Sequence, residues 1–201
     1  MIPAIGTLTE HMAIHLFLMN AVAPLAALAA VRLAALKVDS RPQVFPAMLA
    51  QLALLWAWHA PPLLSRTMLS PGLHALMQLS LFAAALWFWS SMLGLRGGDR
   101  WRGLLALLLT AKIFCLLGVL LVFAPRGLYP ALLSASHAAG HAMPIRLEDQ
   151  QLAGLLMLVV CPVTYLTAGV AMAARCVFGI DALSVRDPGP DARRSMAANA
   201  G

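Results

Sequence analysis

The chain of 201 residues is 61% hydrophobic and only 11% charged, against a usual charged share of about 25% in soluble domains. With a mean hydropathy of +0.82, it is excluded from the soluble globular classes and reads as an integral membrane protein. The formal net charge of +6 is explained by topology and by attraction to anionic lipid, so nucleic-acid binding need not be invoked.

Five apolar stretches reach or approach the roughly 20 residues that a spanning helix needs. They lie at about 11–31, 43–58, 73–94, 103–123 and 150–174. The expected fold is all-α, a polytopic membrane bundle of about five transmembrane helices, forming one domain over residues 1–176. In the first stretch Ala26, Ala27, Ala29 and Ala30 resemble a signal-peptide cleavage site. A signal peptide carries Lys or Arg ahead of its apolar core, whereas this segment holds only Glu10, so the reading is a retained helix. The second stretch is short and borrows its ends from the interface, with Pro46 in its first turn and Trp56 and Trp58 as anchors. Pro24 and Pro162 are expected to kink the first and fifth helices. The tail over 177–201, with Asp187-Pro188-Gly189-Pro190-Asp191 and then Arg193-Arg194, is polar and breaker-rich and is expected to be disordered.

Loop charges set the expected orientation. Arg32, Lys37, Arg41, Arg96, Arg100, Arg102, Arg175, Arg186, Arg193 and Arg194 fall on one side, and only Arg66, Arg126 and Arg146 on the other. Ten against three predicts an outside N-terminus and a cytoplasmic C-terminus. Trp87, Trp89 and Trp101 are then expected in the inner aromatic belt, and Trp56, Trp58 and Tyr129 in the outer one.

On that topology all six histidines face the outer side. His11 and His15 start the first helix, His59 ends the second, His74 starts the third, and His137 and His141 lie in the fourth loop. A separation of four residues puts His11 and His15 on one helical face, with Cβ atoms about 5–6 Å apart and able to share an ion. Met19 continues that face one turn deeper. Imidazole suits copper, zinc and iron, and thioether favours copper(I). The structural alternative is that these histidines only bond headgroups or backbone. His137 and His141 share a metal only if their loop is helical, and Gly140 argues for solvated loop residues instead.

The residues around the histidines carry a resemblance. His11-Met12-Ala13-Ile14-His15-Leu16-Phe17-Leu18-Met19-Asn20 followed by Ala23-Pro24-Leu25, Trp58-His59-Ala60-Pro61 followed by His74, Phe88-Trp89, and Leu116-Leu117-Gly118 occur in order. Phe123-Ala124-Pro125, Leu128-Tyr129-Pro130 and Asp149-Gln150-Gln151-Leu152-Ala153-Gly154-Leu155 follow. Together they resemble the CtaG family of cytochrome c oxidase assembly factors across nearly the whole apolar portion. The resemblance implies a bacterial inner-membrane protein that serves an oxidase subunit as client, with other copper chaperones as possible partners. The family often carries a second histidine one turn after His74, where this chain has Gln78. That leaves His74 and the first-helix pair as the better ligand candidates, with Gln78 behind them.

Three further features stand out. Lys112 lies near the middle of the fourth helix, where a charge costs at least about 2.5 kcal/mol. It snorkels, stays a neutral amine, or meets an anion such as a haem propionate. Asp149 precedes the fifth stretch as an expected N-cap, and it also suits a carboxylate that orients a ligating imidazole. Gln150 and Gln151 can add bonds on the same rim. Cys115, Cys161 and Cys176 form no C-x-x-C pair and read as apolar filler.

The sequence thus predicts a non-enzymatic oxidase assembly factor handling copper through His11, His15, His59, His74 and Met19. Two alternatives stay open: a membrane protein with two histidines as axial haem ligands, and a metal-free structural chaperone.

Overall fold

The computed structural model describes residues 7–33, 43–129 and 147–178. His137, His141, Lys37, Arg41, Arg146 and the tail beyond 178 lie outside the described residues. Those described are helical, joined by turns, with no strand among them. The elements are α1 (Thr7–Phe17), a π-helical turn (Leu18–Val22), α2 (Ala23–Arg32), α3 (Val44–His59) and α4 (Pro61–Leu69). Then come α5 (Pro71–Leu93), α6 (Arg100–Phe123) and α7 (Leu147–Val177).

Among the described residues, four apolar spans are long enough to cross a membrane: Leu8–Arg32, Pro71–Leu93, Gly97–Phe123 and Leu147–Val177. The pair α3 and α4, which meet at 75°, is apolar enough only when taken together, as one broken span or a re-entrant segment. The expected short second helix is α3, and the chain breaks after it into α4, which lay outside that expectation. The break follows from Pro61, which forces Ala60 into an extended conformation (φ −60°, ψ 133°) and then starts α4 at its favoured first position. Pro71 does the same to Ser70 and starts α5.

Pro24 acts through hydrogen-bond register. The Ala23 amide reaches back five residues to the Leu18 carbonyl, and in that register the Met19 carbonyl faces Pro24, which has no N–H. The indole N–H of Trp89 donates to it instead, at 3.0 Å. Trp89 is thus a buried core residue stacked on Tyr165, not a member of the inner belt. The outer belt needs the same correction. Trp58 is buried and donates to Ser80 at 3.0 Å, Trp56 is half-buried against the core, and Tyr129 is 2% exposed. Trp58 sits inside because α5 packs beside α3, and Tyr129 because the chain after α6 folds back to the end of α3. Trp87 and Trp101 remain exposed, as belt residues should be.

Among the described elements, α6 and α7 pack against each other most extensively. Gly118 and Gly154 meet at their crossing, where a Cβ on Gly154 would stand 2.8 Å from the Gly118 carbonyl oxygen. Glycine at both positions lets the backbones touch, the usual device for helix packing in lipid.

Candidate metal centre

The start of α1, the end of α3 and the start of α5 converge at one end of the bundle. The break after His59 makes this possible, because α4 turns the chain aside and α5 returns beside α3 with His74 in its first turn. The ring centroids of His11 and His15 are 5.2 Å apart, those of His15 and His59 5.1 Å, and those of His11 and His74 5.1 Å. His11 and His59 are 6.4 Å apart. One ligand nitrogen from each of His11, His15 and His59 lies within 4.8 Å of the others, close enough to converge on one ion through small ring rotations.

Burial and hydrogen bonding aim these rings. His15 is 0% exposed, His11 2% and His59 3%. His15 Nδ1 donates to the His11 carbonyl at 3.0 Å, and His59 Nδ1 donates to the Leu55 carbonyl at 2.7 Å. A carbonyl accepts only from N–H, so the proton sits on Nδ1 and the Nε2 lone pair is left free. Both Nε2 atoms are buried without a partner, as are both ring nitrogens of His11. Three orphaned buried imidazoles facing one another lack the shared partner that buried polar groups need, and imidazole nitrogens at this spacing have the chemistry to ligate a metal ion.

His74 stands differently. It is half-buried, and the Gln78 side-chain amide donates to its Nε2 at 3.3 Å. It also lines an open pocket of about 420 Å³ with Thr67, Ser70 and Pro71. Met19 is buried in the main core with Leu16, Leu55 and Trp58, inward of the histidines. Met12 joins a smaller cluster with Leu8, Leu64 and Tyr129. Lys112 is exposed on the outer face of α6, so the fourth helix does not turn it towards a buried anion within this chain.

Asp149 is the chief correction. Helix α7 begins at Leu147, so Asp149 already stands inside its first turn and does not cap it. Its carboxylate turns to the start of α1, accepting the Leu8 amide at 3.0 Å, the Thr9 amide at 3.1 Å and the Thr9 hydroxyl. Those are orphan donors of a helix N-terminus, which favours an anion. The two glutamines extend the clamp. Gln150 donates to the Leu121 carbonyl at 3.0 Å and accepts the Leu128 amide at 2.8 Å, and Gln151 donates to the Val122 carbonyl at 3.3 Å. Tyr129 completes it by donating to the His59 carbonyl at 3.2 Å, which the helix break leaves open. Burial pushes the Tyr129 phenol up to about 12, so it stays a donor at any physiological pH. Sequence reasoning missed the roles of Thr9 and Tyr129, for which the only signal was their place in or beside the quoted strings.

No curated protein and no solved structure is detectably similar to the chain. The family of cytochrome c oxidase caa3 assembly factors, Caa3_CtaG, matches residues 6–177, which hold every histidine, the helix break and the Asp149 clamp, and the chain belongs to that family.

Proposed function

We propose that this assembly factor holds one copper ion between the Nε2 atoms of His11, His15 and His59 and passes it to an oxidase subunit. The observation that carries the reading is the set of buried imidazoles with no hydrogen-bond partner on the nitrogens that face one another. Metal-free chaperoning leaves those nitrogens unexplained, since burying a polar group without a partner costs about 1–3 kcal/mol each. Haem is disfavoured by crowding. A porphyrin between His11 and His59 would have to pass through His15, which is 5.2 Å from one ring and 5.1 Å from the other.

His74 is the entry residue in this reading. It borders the open pocket, and the Gln78 bond on its nitrogen must be exchanged before it can ligate. His74→Ala should therefore slow copper loading several-fold while leaving final copper per protein within about twofold of the parent. Stopped-flow loading of purified protein with a copper(I) chelator as competitor measures both, and equal rates in the two proteins would remove the entry role. Purified parent protein should carry one copper and show no Soret band. A Soret band would transfer the site to haem, and neither signal would favour the structural chaperone.

Delivery at the outer side of a bacterial inner membrane fits the charge asymmetry. Among the described residues, Arg32, Arg100 and Arg175 border one pocket at the bundle end remote from the histidines. Reporter fusions after Arg102 should register cytoplasm and fusions after Met68 the outer side, and the inverse pattern would place the site on the wrong face for this role.

A further inference from the structure

Lys112 stands twelve residues after the start of α6 and eleven before its end, about 18 Å and about 16 Å along the axis. The hydrocarbon core is about 30 Å thick, so Lys112 lies near its midplane, where its four-carbon stem falls short of either interface. Its side chain is exposed on the outside of the bundle. Among the described residues it has no hydrogen-bond or ion-pair partner, and the described acidic residues, Glu10, Asp99, Glu148 and Asp149, all lie at or beyond helix ends. The rest of the sequence adds only Asp39, Asp181, Asp187 and Asp191, outside every apolar span.

The lysine sits in an ordered setting. Leu105, Leu109, Lys112, Leu116, Val119 and Phe123 are all exposed and alternate four and three residues apart. That is the repeat of a helix–helix seam, in which a single polar residue fixes partner and register. The seam runs from Leu105 to Phe123, about 27 Å along the axis, close to the full hydrocarbon thickness. Beside it an apolar groove of about 230 Å³, walled by Leu108, Leu166, Gly169 and Val170, offers room for an intruding side chain.

We propose that this seam docks a transmembrane helix of the oxidase client carrying a carboxylate at mid-depth, which pairs with Lys112 once lipid is displaced. Charge chooses the partner. A second copy of this chain would set lysine against lysine with no acid at that depth, and a lipid headgroup cannot reach the midplane. The inference rests on the client being an oxidase subunit, and it is independent of the copper centre at the bundle end.

The test is a photo-crosslinking residue at Leu116 in intact cells that express the oxidase, with Leu25 on α2 as a control position. The Leu116 position should crosslink to an oxidase subunit, identified by mass spectrometry, and the Leu25 position should not. Lys112→Met should lower that crosslink at least tenfold at equal protein abundance, while Lys112→Arg keeps at least half of it. Removing a charge from lipid favours insertion, so loss in Lys112→Met is not loss of folding. Copper per protein should be unchanged in Lys112→Met, and the crosslink unchanged in His15→Ala, which separates this surface from the metal reading. An undiminished crosslink in Lys112→Met, no crosslink at all, or one only to a second copy of the chain would overturn the proposal.

Discussion

His15→Ala is expected to reduce copper per purified protein at least tenfold, with oxidase activity falling in parallel at matched membrane abundance. His15 is the hub of the cluster: its ring lies beside both His11 and His59, it is fully buried, and its Nδ1 is already committed to the His11 carbonyl. Only Nε2 is left, and it has one direction in which to point. Ligands of one ion act together, so the double variant His11→Ala with His15→Ala should bind scarcely less than His15→Ala alone. Excess copper in the medium should restore oxidase activity in part, because the loss is of capture and not of the client. Copper content by mass spectrometry of purified protein, beside oxidase activity in membranes, makes the comparison. Full copper in both variants would leave the imidazoles as packing groups and return the protein to a structural role.

Why so much of this was legible beforehand, and the rest was not, follows from the physics of each signal. Span number and helical class depend on length and apolarity, which a sequence displays directly, and the i, i+4 pair His11 and His15 needs only helical periodicity. The grouping of His59 and His74 with them required equal depth alone. What periodicity cannot display is which way a chain turns when a helix breaks. The 75° turn after His59 and the return of α5 beside α3 are tertiary outcomes of this kind. The aromatic belts failed for a related reason. Trp58, Trp89 and Tyr129 sit at belt-like positions in the sequence, yet each has an acceptor within the bundle: a serine hydroxyl on α5 for Trp58, and for Trp89 and Tyr129 a backbone carbonyl that is open because another helix is interrupted. Lys112 could be placed at mid-depth from sequence, but the face it occupies depends on where Gly118 and Gly154 bring α6 against α7. The roles of His137 and His141 lie outside the described residues.

Asp149 carries the second large effect, because a carboxylate far along the chain holds the first turn of the helix that bears two of the proposed ligands. Its bonds to Leu8 and Thr9 bridge more than 130 positions, with separations of 141 and 140 residues, and they end two residues before His11. Asp149→Ala would leave two buried amides, those of Leu8 and Thr9, without an acceptor, each worth about 1–3 kcal/mol, while the Thr9 hydroxyl keeps the residue 149 carbonyl at 3.1 Å. Part of that is recovered when the α1 end frays into the headgroup region. The net loss of stability should be about 2–4 kcal/mol, and fraying should carry His11 away from His15 and His59. Copper affinity, measured by chelator competition, is therefore expected to fall at least tenfold although no ligand is touched. Asp149→Asn keeps one oxygen as an acceptor and removes the charge that favours the helix N-terminus, so it should lie between parent and alanine in both affinity and thermal midpoint. Thr9→Val removes the hydroxyl partner alone and should show the smallest of the three losses. If Asp149→Ala lowers the thermal midpoint but binds copper as the parent does, the clamp stabilises the bundle without aiming the histidines. The metal centre would then be set by α3 and α5 packing rather than by the start of α1.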